Sequence, residues 1–303
     1  MICTVTMNPA LDYIVSLPEL KRGEINRAAR SRLRAGGKGI NVSAVLKSFG
    51  ISSAATGFVA GRTGELLCDM LREAGIFADF VRTGGMTRIN VKIRAGEETD
   101  INGEGPAVTE EAFSALLAKA ERLPAGSLLV LAGSLPASLP ADAVGRLFAA
   151  AEGARVAVDG SGEVLREALP LRPWLVKPNR DELAQLYGVR ARTREEALPL
   201  ARRLCSDGAR NALVSLGEEG AVLACESGGE YAMPAFPGRA ADTVGAGDSL
   251  LAGFIAAYEG GQSAEQALAQ GVAAGCATAF RMGLAPAEEA FALLRSRENG
   301  TEN

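Results

Sequence analysis

The amino-acid sequence predicts a doubly wound α/β domain, in which helices cover both faces of a mostly parallel sheet. Three short segments with continuous apolar centres carry this prediction: Ser127–Gly133, Arg155–Gly160 and Asn211–Gly217. Continuous apolar strands of this kind usually lie in a parallel sheet that is covered on both faces. The strands alternate with helical patterns along the chain, and this alternation is typical of the doubly wound class.

Further elements follow in chain order. Ile2–Met7 predicts a first strand, and Val42–Gly50 predicts a helix that follows a glycine-rich loop. Gly64–Gly75 has apolar residues at helical spacing and ends in a glycine, a common helix C-terminus. Thr109–Arg122 begins with a threonine followed by two glutamates, which favours a capped helix N-terminus. The polar tail Ser296–Asn303 is expected to fray.

Two segments depart from the helix–strand alternation, Asp12–Arg34 and Thr87–Val108, because apolar and polar residues alternate with period two. In the second segment, Ile89, Val91 and Ile93 fall on one side of a predicted strand and the polar residues on the other. This pattern predicts a half-buried antiparallel hairpin that turns within 95–97. We expect the two segments to form a small sheet that stands off the main domain.

Composition limits the possible functions. The chain has 303 residues, enough for one large domain or two, and a net charge of −4 without a long basic run. This charge argues against a general nucleic-acid binder. No apolar run reaches the roughly 18 residues of a membrane helix, and no secretory leader is evident, so we expect a cytoplasmic protein without a membrane partner.

Cysteine and histidine usage limits the chemistry further. The five cysteines are widely spaced and include no CxxC pair, so disulfides and zinc–cysteine sites are not expected. The chain has no histidine, which excludes Ser-His-Asp and Cys-His catalysis and histidine metal sites. A base that works near neutral pH must therefore be a carboxylate or a group with a depressed pKa, such as a lysine, cysteine or amine.

The strongest motif is DTVGAGDSLLAGF, Asp242–Phe254. Three small residues, Gly245, Ala246 and Gly247, precede an apolar helix, so backbone N–H groups can converge at its N-terminus and bind an anion. Asp248 follows in the first turn, where a carboxylate can accept the proton of an attacking hydroxyl. The alternative is a glycine-rich turn in which Asp248 only caps the helix.

A second motif is AGGKGINVS, Ala35–Ser43. Its glycines allow the backbone to approach a ligand closely. Lys38 supplies a positive charge, and Asn41 offers both a donor and an acceptor. The alternative is a simple loop that enters the following helix with Asn41 near its cap.

The third motif, KPNRDEL at Lys177–Leu183, follows an apolar run. Asn179 and Glu182 provide oxygen atoms that suit Mg²⁺, often through water. Their spacing also fits a reciprocal helix cap, which is the alternative role. The fourth motif, SLGEEGA at Ser215–Ala221, is a turn after a strand and is uninformative alone.

Taken together and in this order, the four motifs resemble those of the ribokinase-like carbohydrate kinases, the PfkB family. The resemblance runs from NPALD at Asn8–Asp12 to AAGCATA at Ala273–Ala279. It implies a three-layer α/β/α kinase domain over residues 1–303, with a small β-sheet lid formed by about 12–34 and 87–108. It also implies ATP and Mg²⁺ as cofactors.

Residue roles follow from the same resemblance. Asp248 would be the catalytic base, and Gly245, Ala246 and Gly247 would form the anion hole. Mg²⁺ and the triphosphate would be organised by Asn179 and Glu182, with Lys177 beside the phosphates. The nucleotide pocket would include Ser215, Gly217 and Gly220. The sugar would be bound by Asp12, Gly36, Gly37, Lys38 and Asn41.

An arginine at the position of Arg88 resembles the family members that act on sugar phosphates, and a guanidinium fork suits a phosphate. Arg27 resembles a second phosphate contact, and Ser134 adds a hydroxyl. The stretches around these residues resemble members that convert fructose 1-phosphate to fructose 1,6-bisphosphate. Tagatose 6-phosphate, fructose 6-phosphate and a non-catalytic sensor of sugar phosphates remain alternatives. Related kinases often pair their lids between subunits, so we expect a homodimer.

Overall fold

The computed structural model of the protein describes residues 1–300, and all statements of fold refer to that part of the chain. Its strands are β1 (Ile2–Thr6), β2 (Ala10–Ser16), β3 (Arg30–Gly36), β4 (Ser53–Ala60), β5 (Phe77–Ala78), β6 (Val81–Thr83), β7 (Arg88–Ala95), β8 (Glu97–Ile101), β9 (Leu128–Ala132), β10 (Arg155–Asp159), β11 (Leu175–Val176), β12 (Asn211–Ser215), β13 (Ala221–Cys225) and β14 (Glu230–Met233).

The helices of the same part of the chain are α1 (Lys38–Ser48), α2 (Gly61–Glu73), α3 (Glu110–Glu121), α4 (Ala143–Ala150), α5 (Gly162–Ala168), α6 (Arg180–Tyr187), α7 (Arg194–Ser206), α8 (Ala246–Glu259), α9 (Ala264–Ala279) and α10 (Ala287–Gly300). None of them has the length and apolar character needed to cross a bilayer. The tail predicted to fray, Ser296–Asn303, is helical as far as Gly300, and residues 301–303 lie outside the described part.

The main sheet has the strand order β14-β13-β12-β11-β10-β9-β1-β4-β5, and β6 also pairs with β4. Pairing is parallel except between β12 and β13 and between β13 and β14. The chain leaves β1 toward β4 on one side and later returns to β9 on the other. Ligands of doubly wound proteins bind at such a reversal, outside the carboxyl ends of the strands.

Two helical layers cover the sheet, because each of its faces is apolar. In β9, Leu129 and Leu131 face one core while Leu128 and Val130 face the other. Helices α3–α7 contribute to the first core, and α1 with α8–α10 contribute to the second. The predicted three-layer α/β/α architecture is therefore confirmed.

The four-stranded small sheet has the order β3-β2-β7-β8 and stands beside the main sheet. Strands β2 and β7 run parallel, while β2–β3 and β7–β8 are antiparallel hairpins. The second hairpin turns at Gly96, which has a φ of 80°, so the predicted turn is confirmed. Leu11 of β2 packs in a third core with Leu67 and Leu71 of α2, which attaches the small sheet to the rest of the fold.

The expected sidedness of β7 is reversed. A half-buried strand normally buries its apolar side. Here Asn90 and Lys92 are buried, whereas Ile89 is 39% exposed. The polar side of β7 faces inward because it lines a cleft, and the apolar side is left on the surface.

Two predicted helices begin earlier than expected. Helix α1 starts at Lys38 rather than Val42, so Asn41 lies inside the helix and not at its cap. Helix α2 starts at Gly61 rather than Gly64. Glycines lowered the apparent helix propensity of both starts, but tertiary packing overrides that preference.

A substitution at Gly57 tests the junction of β1 and β4. Gly57 has a φ of 140°, and a Cβ added there would lie 1.8 Å from the carbonyl oxygen of Thr6. We expect Gly57→Ala to destabilise the protein by about 2–4 kcal/mol, because strain and overpacking add. Urea unfolding with an unchanged m-value measures this loss.

The control is Gly145→Ala in α4, where an added Cβ meets nothing within 4 Å. This change should stabilise the helix by about 0.5–1 kcal/mol, because alanine has the higher helix propensity. Equal stability of the two variants would contradict the packing at Gly57.

Candidate active site

A cleft of about 1290 Å³ opens where the parallel strands end. The carboxyl ends of β1, β9, β10, β11 and β12 meet at this edge, and the polar side of the small sheet forms the opposite wall. Most of the residues predicted to form the site line it: Asp12, Gly37, Lys38, Asn41, Arg88, Ser134, Lys177, Asn179, Ser215, Gly217, Gly220, Gly245, Ala246, Gly247 and Asp248.

The start of α8 is fixed by its own sequence. The Asp242 carboxylate accepts a hydrogen bond from the Val244 N–H at 3.0 Å, which tightens the preceding turn. Gly245 then occupies the N-cap with a φ of 85°, a conformation that favours glycine. One turn on, the hydroxyls of Ser249 and Thr278 lie 2.8 Å apart and connect α8 to α9. These contacts hold the first turn of α8 in one place.

Asp248 lies in that first turn and is only 6% exposed. The Asn41 side-chain amide donates to its Oδ2 at 2.7 Å. Burial, together with the nearby negative charge of Asp159, raises the pKa of Asp248 to about 6. Because Gly245 is the N-cap residue and Asp248 accepts no capping bond, the helix-cap alternative does not hold. The carboxylate is suited to accept a proton near neutral pH.

The N-terminus of α8 has free N–H groups that could bind an anion, as the glycine motif predicts. The N–H groups of Gly247 and Asp248 have no acceptor within the helix, as at any helix start. The Ala246 N–H differs, because it bonds to the Thr243 carbonyl at 3.2 Å. A Cβ added to Gly247 would lie 3.5 Å from Lys177 Nζ, so this ammonium group lies beside the helix start.

A chain of paired charges forms the floor of the cleft. The carboxylate of Asp159, at the end of β10, is fully buried. Lys38 Nζ donates to its Oδ1 at 2.9 Å, and Lys177 Nζ forms an ion pair with its Oδ2 at 3.2 Å. Lys38 also contacts Glu182 Oε1 at 3.2 Å. Lys38, predicted for the sugar site, is thus held by carboxylates between β10 and α6.

The protonation states of this chain follow from its contacts. Burial alone would raise the pKa of Asp159, but Lys177 and Lys38 outweigh it and lower that pKa below its usual value. Burial would lower the pKa of Lys38, but Asp159 and Glu182 outweigh burial and raise it. Asp159 and Lys38 are therefore charged near neutral pH.

Asn179 and Glu182 form the capping box that their spacing predicted. Asn179 accepts from the N–H groups of residues 181 and 182, and Glu182 Oε2 accepts from the Asn179 N–H at 2.8 Å. Within residues 1–300, no group of three or more His, Cys, Asp or Glu side chains could hold a metal ion. Asn179 Oδ1 and both Glu182 oxygens are engaged by the cap and by Lys38, so a Mg²⁺ ion beside them would take most of its ligands from water and nucleotide phosphates.

The nucleotide end of the cleft is formed by two loops and an apolar surface. Ser215 is the last residue of β12, Gly217 and Gly220 follow it, and all three line the cleft as predicted. Gly220 has a φ of 92°, and a Cβ there would lie 2.1 Å from the Met233 carbonyl oxygen. Apolar residues complete this end, among them Val272 and Phe280. A flat base fits an apolar end of this kind.

The opposite end is built on the polar side of the small sheet. Asn90 donates from Nδ2 to Asp12 Oδ1 at 2.9 Å. Arg34 Nη2 lies 3.9 Å from Asp12 Oδ2. Gly36 is not among the lining residues, but a Cβ there would lie 2.6 Å from Asp12 Oδ2. Gly36 therefore leaves room for the Asp12 carboxylate, which faces the cleft.

Arg88 lies half-buried at the wall of this end. Its Nη2 donates to the Asn8 carbonyl at 2.8 Å and its Nη1 to the Gly103 carbonyl at 3.4 Å, while Nε is buried without a partner. The guanidinium is thus fixed in direction and keeps free N–H groups. Arg27, by contrast, lies on the exposed connection between β2 and β3 and does not line the cleft.

Sequence reasoning did not assign three polar residues that line or underlie the cleft: Asn90, Lys92 and Asp159. The alternation in β7 contained the signal for Asn90 and Lys92, because both share the polar side with Arg88. Asp159 is the last residue of β10, after the apolar residues 156–158, and polar residues at the carboxyl ends of parallel strands are candidates for ligand binding.

Comparisons with known proteins agree with this geometry. A family model described as pfkB family carbohydrate kinase matches residues 5–290. A 1-phosphofructokinase from Bacillus subtilis is 42% identical over 283 residues, covering 92% of this chain and 93% of the relative. A D-tagatose-1-phosphate kinase from Bacillus licheniformis is 36% identical over 287 residues, covering 94% of each.

A solved structure of phosphofructokinase-2 from Escherichia coli, in complex with substrates and products, superposes with a TM-score of 0.92. It is 29% identical, and the match covers 97% of this chain and 98% of that one. A tetrameric inhibited form of the same protein has a TM-score of 0.91 at 29% identity, covering 98% of this chain and 99% of that one.

The three-layer domain, its small sheet and the cleft between them define the class of carbohydrate kinases. The chain belongs to the pfkB family of carbohydrate kinases. It is an ATP-dependent carbohydrate kinase.

Replacing the base tests the site directly. We expect Asp248→Asn to lower turnover roughly 10²–10⁴-fold, the usual cost of losing a positioned general base. Binding of an ATP analogue should be retained, because the substitution keeps the shape of the side chain. In the wild type, kcat/KM should fall as the pH drops through about 6, because only ionised Asp248 accepts a proton. Steady-state kinetics and calorimetry measure these quantities.

The matched control is Asp207→Asn, which removes a carboxylate bonded to Tyr187 far from the cleft. It should leave turnover unchanged. A loss of less than about tenfold in Asp248→Asn would mean that Asp248 is not the base.

Proposed function

We propose that the chain transfers the γ-phosphoryl group of MgATP to a ketohexose 1-phosphate, with fructose 1-phosphate giving fructose 1,6-bisphosphate as the principal reaction. The observation that carries this proposal is the hydrogen bond of Asn41 to the buried Asp248 at the start of α8. This pair lies between the end of the cleft lined by Ser215 and Gly220 and the end that holds Arg88. The names of the two bacterial relatives refer to 1-phosphofructose and D-tagatose 1-phosphate.

In this mechanism, Asp248 accepts the proton of the attacking hydroxyl. The free N–H groups of Gly247 and Asp248 and the Lys177 ammonium group stabilise the charge on the transferred group. Bound Mg²⁺ would neutralise phosphate charge, held through water by Asn179 and Glu182. Asp12 and Asn90 would orient the sugar hydroxyls, and the small sheet would act as the lid that excludes water from the cleft.

The alternatives differ in substrate or in chemistry. Tagatose 6-phosphate or fructose 6-phosphate would use the same base and anion site. A non-catalytic sensor is disfavoured, because a sensor needs neither a buried carboxylate with a raised pKa nor an open helix start. Both substrates of the proposed reaction are metabolites of the cytoplasm, so we place the enzyme there.

A substrate panel tests the proposal. ADP release should be measured with fructose 1-phosphate, fructose 6-phosphate, tagatose 1-phosphate, tagatose 6-phosphate and free fructose, each with and without Mg²⁺. We expect the highest kcat/KM for fructose 1-phosphate and no turnover without a divalent cation. A preference for a 6-phosphate would replace the proposed substrate, and sugar-phosphate binding without turnover would support the sensor.

Arg88 is the residue that we expect to bind the phosphate already on the substrate. Arg88→Ala should lower kcat/KM for fructose 1-phosphate by roughly 10–150-fold, since a charge-assisted hydrogen bond contributes about 1.5–3 kcal/mol. With free fructose as substrate, kcat/KM should be nearly the same in Arg88→Ala and the wild type. Arg88→Lys should recover only part of the activity on fructose 1-phosphate. Kinetics with both sugars in wild type and variants measure the difference.

Arg94 provides the control, because it lies on the polar side of the same strand but pairs with Glu98 and Asp100 outside the cleft. Arg94→Ala should change kcat/KM by less than about threefold, as expected for a partly exposed ion pair. If Arg88→Ala lowers kcat/KM equally for fructose 1-phosphate and free fructose, or for neither sugar, Arg88 does not bind the substrate phosphate.

The outer side of the small sheet supports a homodimer. We define this outer face by Tyr13, Leu33, Ile89, Val91 and Ile101, which lie on the side of the sheet away from the cleft. Its members are at least partly exposed, and Ile101 is 56% exposed. Grouped apolar residues of this kind often mark a protein interface, and pairing would also protect the sheet. The lid of one subunit would then pack on the lid of another.

We expect Val91→Asp, in the middle of the outer face, to separate the wild-type dimer into monomers at micromolar concentration, because a buried charge opposes packing. Phe77→Asp is the control, since Phe77 is exposed on β5, away from the outer face. It should leave the assembly intact. Light scattering that shows a wild-type monomer would contradict the proposal. A tetramer, as in the inhibited E. coli form, would require a second interface.

A further inference from the structure

Asp159 has no part in the transfer as derived above, yet it lies at the centre of the cleft floor. Its carboxylate is the last side chain of β10 and is fully buried. Burying a carboxylate costs desolvation free energy, which is offset only where positively charged partners lie against it. The partners of Asp159 are Lys38 and Lys177.

The two lysines reach Asp159 from different parts of the chain. Lys38 is the first residue of α1 and belongs to the glycine motif, whereas Lys177 follows β11. Two ammonium groups this close would repel each other without a shared anion. Each oxygen of Asp159 faces one of them, so the carboxylate fixes the spacing of both lysines. The same contacts disfavour a metal ion at Asp159, because the ion would face two positive charges.

The position of Asp159 also affects Asp248. The charged groups that act on Asp248 are Asp159, Lys38 and Lys177, and the Asn41 amide donates to it. Burial is the main reason why the pKa of Asp248 is raised, and the charge of Asp159 is the next. The lysines act in the opposite direction. Asp159 therefore influences the base as well as the lysines.

We infer that Asp159 is a positioning residue of the phosphoryl-transfer site, which holds Lys38 and Lys177 at fixed places on the floor of the cleft. This inference rests on the proposed function. A purely structural ion pair would contribute to stability alone, whereas a positioning residue also changes the kinetics and their pH dependence.

The test compares the wild type with Asp159→Asn and Asp159→Glu. Asparagine has the same shape, but its amide offers an oxygen to only one lysine. We expect kcat to fall by about 10–100-fold, because small misplacements of charged groups are costly in transfer reactions. The acidic limb of the pH–rate profile should move to lower pH by at least about half a unit, since a like charge near Asp248 is lost. Ionisation of the substrate phosphate affects the pH–rate profiles of the wild type and the variants equally. A difference between the profiles therefore comes from a group of the enzyme.

Asp159→Glu separates charge from position. It restores the negative charge but displaces the oxygens, so the acidic limb should stay at the wild-type pH while kcat remains low. The matched control is Glu259→Gln, which removes a carboxylate from the ion pair with Arg155 on another part of the surface. It should leave kcat and the profile unchanged.

Carboxyl ¹³C NMR of the wild type keeps the inference testable if the Asp159 variants do not fold. Asp159 should stay ionised from about pH 5 to pH 8, because its pKa is lowered by both lysines, while Asp248 titrates within that range. Protonation of Asp159 within this range would overturn the inference. So would a folded Asp159→Asn with wild-type kcat, or with an unmoved acidic limb. A wild type inactive on every sugar phosphate would instead overturn the proposed function, whatever the NMR result.

Discussion

Charge compensation at the carboxyl edge of the parallel sheet is the constraint on which the site depends. The sheet directs the ends of its central strands to one edge, and α8 begins there with a carboxylate that is 6% exposed. Single charges in such a place would be costly. Lysines and carboxylates therefore alternate along the floor, from Glu182 to Lys38, Asp159 and Lys177. The glycines at the start of α8 leave space for this arrangement and for an incoming anion.

The parts of the fold that depend on local sequence could be predicted. Apolar strands, capped helices and the turn at Gly96 each leave a pattern within a few residues, and the structure confirms them. The motifs were recognised for the same reason, and most of their residues line one cleft. Contacts between distant residues were different. Asn41 and Asp248 are 207 positions apart, and Lys38 and Asp159 are 121 apart. No local pattern identifies such partners, so the pairing of Asp159 with Lys38 was missed.

The small sheet shows a second limit of sequence patterns. Period-two alternation gives two sides to a strand, but it does not tell which side faces the protein. In β7 the polar side is enclosed because it faces a cleft, and Asn90 bonds to Asp12 there. The apolar side would normally be buried in the core of a monomer. The same alternation thus has opposite meanings in a strand that covers a core and in one that covers a ligand site.

The joint between the small sheet and the first helix has a mechanical consequence. One residue, Gly37, separates the end of β3 from Lys38, the first residue of α1. An added Cβ at Gly37 would lie 2.6 Å from Thr6 Cγ2, so this joint is pressed against the end of β1. No flexible linker separates the two elements. A tilt of the small sheet would therefore displace the backbone of Lys38, and with it the ammonium group that contacts Asp159 and Glu182. The orientation of the small sheet and the position of the Lys38 ammonium group are therefore coupled through this one-residue joint.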